Sequence, residues 1–292
     1  MTSKLMLSIR RGPRAVKAVS GVPRFRRDLL TIGVERRYNF RHMSSGRPTV
    51  LVISAHAADF CSRSGGTLHK YVKRGSGVHV IDLSFGERGE SGEYWAGARG
   101  GSVSEAKAVR KSEAEAAAHV LGVSIAFMDW NDYPLVFDRD RITELAKTIR
   151  RIAPDILLTH WSRDPFNADH QETSWAVVRA CSCASAPGVD PEQPPTVLPE
   201  IFLFESSVPQ TEFNAFRPDT YVDISDVFEV KMAALRKLES QPFLVDYYTR
   251  YAEYRGFQAS KWFKTDVRHA EGFSRYTPWI GDELPATRRG GR

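Results

Sequence analysis

At 292 residues and 42% apolar content, the chain has the material for one large α/β domain or two smaller ones, and its composition is not that of a disordered protein. The formal charge of +6 is unevenly spread: residues 1–47 hold twelve Lys/Arg against only Asp28 and Glu35. The rest is therefore net acidic and lacks the charge to track nucleic-acid phosphates. No apolar run reaches the roughly 18 residues of a membrane helix. The three cysteines, Cys61, Cys181 and Cys183, form neither a disulfide framework nor a paired CxxC zinc motif, which favours a reducing, cytoplasmic setting.

The first element in chain order is the basic arm, residues 1–47. Rich in Arg, poor in acids and interspersed with apolar residues, it reads either as a mitochondrial presequence or as a disordered or start-site extension ahead of Met43. From residue 48 to 292 a single domain is expected. Short β-rich runs at 49–55 (TVLVISA), 78–84 (VHVIDLS), 123–128, 156–159 and 201–204 alternate with helical periodicity. That alternation predicts a doubly wound, mostly parallel sheet with flanking helices, a Rossmann-like α/β fold. Residues 106–121 form an alanine-rich helix that Gly122 should end. Ile142, Leu145, Ala146, Ile149 and Ile152 mark a second helix, stopped by Pro154.

Residues 86–101 carry six glycines and no apolar period, so they predict a long loop at the carboxyl end of the second strand. Residues 184–199 read as a Pro-rich connector. Beyond them, helices are expected over 227–238 and 245–257 as a C-terminal helical extension. The second carries Tyr247, Tyr248, Tyr251 and Tyr254, an aromatic cluster suited to a homo-oligomer interface.

Chemistry gathers at the strand ends. His56 and Asp59 follow the first strand in SAHAADF, and Asp169 and His170 follow the fourth in DPFNADH. In an open α/β sheet the loops at the carboxyl ends of the strands line the ligand crevice. An imidazole and a carboxylate three apart, joined by a later His, suit a divalent ion with three protein ligands. The same residues also suit hydrogen-bonded loop positions, and spacing alone leaves both open.

The order of these motifs resembles the LmbE-like (PIG-L) zinc deacetylase superfamily: HxxD after strand one, a GERGE loop after strand two, RKSEAEAAAHVLGV, and DH after strand four. The resemblance runs from about residue 48 to the AEGF at 270–273. It implies the family fold and a Zn2+ ion on His56, Asp59 and His170. Two departures accompany it. Where the family's first motif is AHPDDE, this chain has Ala57, Ala58, Asp59 and Phe60, so the general base of the deacetylases falls on Ala58. Where the family has HPDH, this chain has Asn167, Ala168, Asp169 and His170.

In those same places the chain is similar to one branch of the superfamily, the 4-oxalomesaconate hydratases of gallate and protocatechuate breakdown. The shared stretches are AHxADF at 55–60, LSFGERGES at 83–91, DYPL at 132–135, and LTH with DPxNxDH within 158–170. The resemblance implies a zinc-dependent hydro-lyase that adds water to an unsaturated oxo-tricarboxylate, giving 4-carboxy-4-hydroxy-2-oxoadipate. A zinc-dependent N-acetyl deacetylase is the alternative.

Hydration needs a base for water and an acid for carbon, and a metal at the keto-acid end would stabilise the developing enolate. Glu90 and Glu87 on the glycine-rich loop are candidates for the base, and Glu90 is preferred because Glu87 precedes Arg88 and can hold it. His160 at the end of strand four is the candidate acid. Arg88, Arg99 and Asn167 are candidates for binding a polycarboxylate substrate, and Asp169 for orienting a metal ligand.

Overall fold

The computed structural model describes residues 46–97, 101–207, 211–263 and 266–281. The basic arm therefore lies outside the described residues except for its last two, and so does Arg99. The described chain opens with β1 (Val50–Ser54), α1 (Asp59–Lys73), β2 (Val78–Asp82), α2 (Gly92–Gly97), α3 (Val103–Leu121), β3 (Ser124–Phe127) and α4 (Arg139–Ile152). It continues with β4 (Ile156–His160), α5 (Ala168–Ser185), β5 (Glu200–Phe204), α6 (Thr211–Asn214), β6 (Thr220–Asp223), α7 (Phe228–Leu235), α8 (Leu244–Phe263) and β7 (Ala270–Arg275).

The strands form one seven-stranded sheet in the order β3-β2-β1-β4-β5-β7-β6. The first five are parallel, and β7 runs antiparallel to both β5 and β6. The expected mostly parallel, doubly wound α/β fold is the observed one. Its physical cause is visible in β1, whose five residues are all buried. Val50 and Val52 enter the core formed with α1, α3 and α7, while Leu51 and Ile53 enter the core formed with α4 and α5. A strand covered by helices on both faces must be apolar at every position, not at alternate ones.

Helix boundaries follow local chemistry. Ser102 and Glu105 form a reciprocal capping box that starts α3 three residues earlier than the alanine run suggests, and Gly122 ends it at φ 76°. Asp138 caps α4, and Ala153 closes it in a left-handed conformation before Pro154. The C-terminal tyrosines mostly turn inward: Tyr248 is buried, Tyr247 and Tyr251 pack beside it, and Tyr254 is the exposed member.

Strand order reverses between β1 and β4, because the chain leaves β1 toward β2 on one side and returns to β4 on the other. The carboxyl ends of two neighbouring strands there diverge into loops that run in opposite directions and open a crevice between them. His56 follows β1, and His160 closes β4.

Candidate metal centre

After β1 the chain turns tightly. The Asp59 amide donates to the His56 carbonyl at 3.1 Å, and Asp59 Oδ2 accepts from the His56 amide at 2.8 Å. This turn starts α1, so the His-x-x-Asp spacing is the spacing of a strand-to-helix corner that aims both side chains the same way. His170 comes from the first turn of α5, which Asn167 caps by accepting from the His170 amide at 3.3 Å.

Four donor atoms meet in the crevice. His56 Nδ1 lies 3.2 Å from His170 Nε2, 3.5 Å from Asp59 Oδ2 and 3.1 Å from Glu90 Oε1. His170 Nε2 lies 3.5 Å from Asp59 Oδ2 and 3.7 Å from Glu90 Oε1. A tetrahedral ion with bonds of about 2.0–2.1 Å has ligand atoms about 3.3 Å apart, so the mutual separations of His56, Asp59 and His170 are those of one coordination polyhedron, with the Glu90 carboxylate beside it. The tautomers point the same way. His170 turns its Nδ1 to Asp164 Oδ2 at 2.9 Å, and His56 turns its Nε2 toward Asp169 Oδ2 at 3.4 Å. Each carboxylate places the ring proton on the outer nitrogen and leaves the inner one a bare lone pair. Two lone pairs facing each other across 3.2 Å repel, and a cation between them, a metal ion or a proton on His56, removes the conflict.

The surroundings are built for positive charge. His56, Asp59 and His170 are fully buried. Burial pushes the His56 imidazole down, but Glu90, Asp169 and Asp59 together raise it well above its ordinary value. Burial works against the Asp59 carboxylate, yet Arg63 and the His170 and His160 rings hold it well below the usual range. Arg63, one turn further along α1, donates to Asp59 Oδ1 at 2.5 Å and to the Glu205 carbonyl at 3.0 Å. Asp164 also accepts from the Ser207 amide at 2.7 Å and stays ionised despite its burial, through its bonds to His170 and Ser207.

The structure brings some of the expected residues together and separates others. Glu90, 14% exposed, joins the ligand atoms and is steadied by the Asn167 amide at 3.2 Å. Both polar atoms of Asn167 are thus engaged, one capping α5 and one on Glu90, so its place is that of a holder of Glu90 and not of a free substrate contact. Glu87 is fully buried and turned toward Arg88 (3.2 Å), Lys107 (3.6 Å) and the Phe85 amide. Arg88, partly exposed, also donates to the Asp132 carbonyl at 3.1 Å. Asp169 faces His56 and accepts the Tyr133 and Leu135 amides at 2.8 and 2.9 Å.

His160 differs from its expected acid role. Its Nε2 accepts from the Ala55 amide at 2.9 Å, its ring stacks on His170 with centroids 4.1 Å apart, and burial lowers its pKa to about 3. It is a neutral packing partner of His170.

Arg63 and Asp164 were not among the expected residues. Arg63 would have followed from recognising α1, since Asp59 and Arg63 are an i,i+4 pair. Asp164 sits six residues before His170 in an irregular loop, and no periodicity signals such a return.

Residues 51–181 match the family model PIG-L, GlcNAc-PI de-N-acetylase, a span from β1 through most of α5 that contains every ligand atom described. A 4-oxalmesaconate hydratase from Pseudomonas putida is 38% identical over 250 residues, covering 84% of this chain and 95% of the relative. A diacetylchitobiose deacetylase from Thermococcus kodakarensis is 30% identical over 244 residues, covering 79% of this chain and 84% of the relative. Among solved structures, GalB, the 4-carboxy-2-hydroxymuconate hydratase from Pseudomonas putida KT2440, superposes with a TM-score of 0.77 at 37% identity, over 82% of this chain and 100% of that one. The crevice geometry and these likenesses agree, and the chain belongs to the PIG-L (LmbE-like) family.

Proposed function

We propose that this protein is a zinc-dependent hydratase that adds water to the carbon–carbon double bond of an unsaturated oxo-tricarboxylate. The favoured substrate is 4-oxalomesaconate, giving 4-carboxy-4-hydroxy-2-oxoadipate, a step in gallate or protocatechuate breakdown. The observation that carries the reading is the exchange of carboxylates around the metal centre. Ala58 and Phe60, at positions that are acidic in the family's first motif, are packed into the apolar core, and the Glu90 carboxylate reaches His56 Nδ1 at 3.1 Å from the loop after β2.

An amide-cleaving site needs a base beside the metal and an acid for the leaving amine. Ala58 accepts no proton, and Asn167 stands in place of the family's histidine. Hydration has no leaving amine to protonate. It needs a carboxylate that takes one proton from water, and Glu90 is held for that by Asn167. A positive charge beside it, on His56 or on a bound zinc, lowers the Glu90 pKa against the effect of its burial, which keeps the carboxylate ionised and ready to accept.

His56, Asp59 and His170 would hold the zinc, which supplies a Lewis acid for the carbonyl group that activates the alkene. Arg88, 40% exposed on the same loop as Glu90, would receive a substrate carboxylate. Zinc-loaded protein should deplete the absorbance of 4-oxalomesaconate and leave N-acetylated amino sugars intact. Turnover of the amide without turnover of the alkene would favour the deacetylase alternative.

A further inference from the structure

Hydration moves two protons, and Glu90 accounts for one. The other must reach the carbon next to the one that water attacks. His160 Nε2, the ring nitrogen 3.3 Å from Asp59 Oδ2, has its lone pair taken by the Ala55 amide, so the ring proton sits on Nδ1 and not on the nitrogen beside the ligand atoms.

The loop between β3 and α4 supplies a different group. Asp129, Asn131 and Tyr133 all have left-handed backbones, at φ 55°, 45° and 43°. For non-glycine residues this is costly, and such strain gathers where a structure over-determines a functional position. Here the restraints are explicit. Lys107 holds Asp129 and Asn131 by their side chains, at 2.5 and 2.7 Å. The Asp169 carboxylate that faces His56 also receives the Tyr133 amide.

The result is a phenol laid over the metal centre. The Tyr133 ring is nearly parallel to the His56 imidazole, 23° between planes with centroids 6.0 Å apart. Its Cδ2–Cε2 edge presses on Gly89, the residue before Glu90. A Cβ at position 89 would lie 2.0 Å from Tyr133 Cε2 and 2.6 Å from Cζ, the atom that carries the hydroxyl. Residue 89 is glycine because the ring fills the space of its side chain. Tyr133 remains 45% exposed, so a side chain that stacks beside His56 is also open to arriving substrate.

We propose that Tyr133 is the catalytic acid of the hydration, a role that rests on the hydratase reading above. Water forms a C–O bond with one alkene carbon and gives its proton to Glu90, while the π electrons move to the activating carbonyl as an enolate. The enolate then takes the phenol proton at the adjacent carbon. The proton on Glu90 returns to the phenolate, restoring both groups, so the net change is addition of one water.

Tyr133→Phe removes one oxygen and keeps the ring that packs on Gly89 and His56, so the variant should fold and retain its zinc. Its kcat on 4-oxalomesaconate should fall at least about a hundredfold, with KM within about twofold of the parent. Gly89→Ala, which displaces the ring, should lose kcat as well, and adding it to Tyr133→Phe should cost little more because both remove one group. Tyr133→Phe working at the parent rate, or raising KM at unchanged kcat, overturns the acid assignment while leaving the hydratase reading intact. A parent enzyme that does not hydrate the alkene at all fails the underlying reading instead.

Discussion

The two sides of the crevice are built differently. The side formed after β1 and β4 supplies His56, Asp59 and His170, fully buried and set in the corner before α1 and in the first turns of α1 and α5. The side formed after β2 and β3 supplies Glu90 and Tyr133 from loops, both in part exposed, with a run of left-handed residues before the tyrosine. Metal ligands need fixed separations, and a strand-to-helix corner sets them by regular geometry. Groups that move protons need access to substrate, and loops provide it. In this chain the rigid side keeps the His, His and Asp of a candidate metal centre, while positions 58 and 60 are Ala and Phe, and the groups proposed to move protons lie on the other side.

The most severe break is expected on the rigid side. His170→Ala removes a donor atom and should abolish zinc retention, measured as metal per chain after dialysis, and activity with it. Full metal occupancy in that variant would sink the ligand assignment.

Asp164→Asn probes the same side one bond further out. The Asp164 carboxylate fixes the His170 tautomer, and loss of such a partner typically costs about ten- to a hundredfold in metal affinity. Competition with a chelator should show a weakening in that range, and unchanged affinity would mean that the Asp164 contact does not orient His170.

A smaller, graded effect is expected from pH. The raised His56 pKa means that without metal the imidazole keeps its proton to a higher pH than a free histidine. The bound proton stabilises the metal-free fold at low pH, and this contribution is lost as pH rises through the raised pKa. A metal must displace that proton, so zinc affinity should climb as pH rises from about 6, by up to about tenfold per unit, and level off once His56 is neutral. Affinity that is flat over that window would contradict the assignment of His56 as the competing site.

The same contrast explains what could be read from sequence. The five parallel strands were legible because each is a short apolar run; His56, Asp59 and His170 were marked as candidates by their place at strand ends, and it was the family resemblance that made them a ligand set. The antiparallel pair β6 and β7 was not: β7 reads AEGFSR, and its Glu271 is buried only because Lys231 pairs with it at 2.6 Å and the Gly66 and Thr67 amides donate to it. Nothing local distinguishes that glutamate from a surface one. α1 was obscured by the serines and glycines of CSRSGG, where Gly66 has to be small because a Cβ would fall 2.8 Å from Ile224. The roles of Asn167 and His160 depended on partners far along the chain, Glu90 and Ala55, which only the folded sheet brings close.

The central claim is that a loop carboxylate serves as the base where position 58 no longer can. Glu90→Gln tests it most directly, because the amide keeps the shape of the side chain and removes the acceptor charge. With zinc content and hydration rate measured on the same preparation, the account predicts metal near one per chain and a rate at least about a hundredfold below the parent. A zinc-replete Glu90→Gln enzyme that hydrates 4-oxalomesaconate at the parent rate would contradict it.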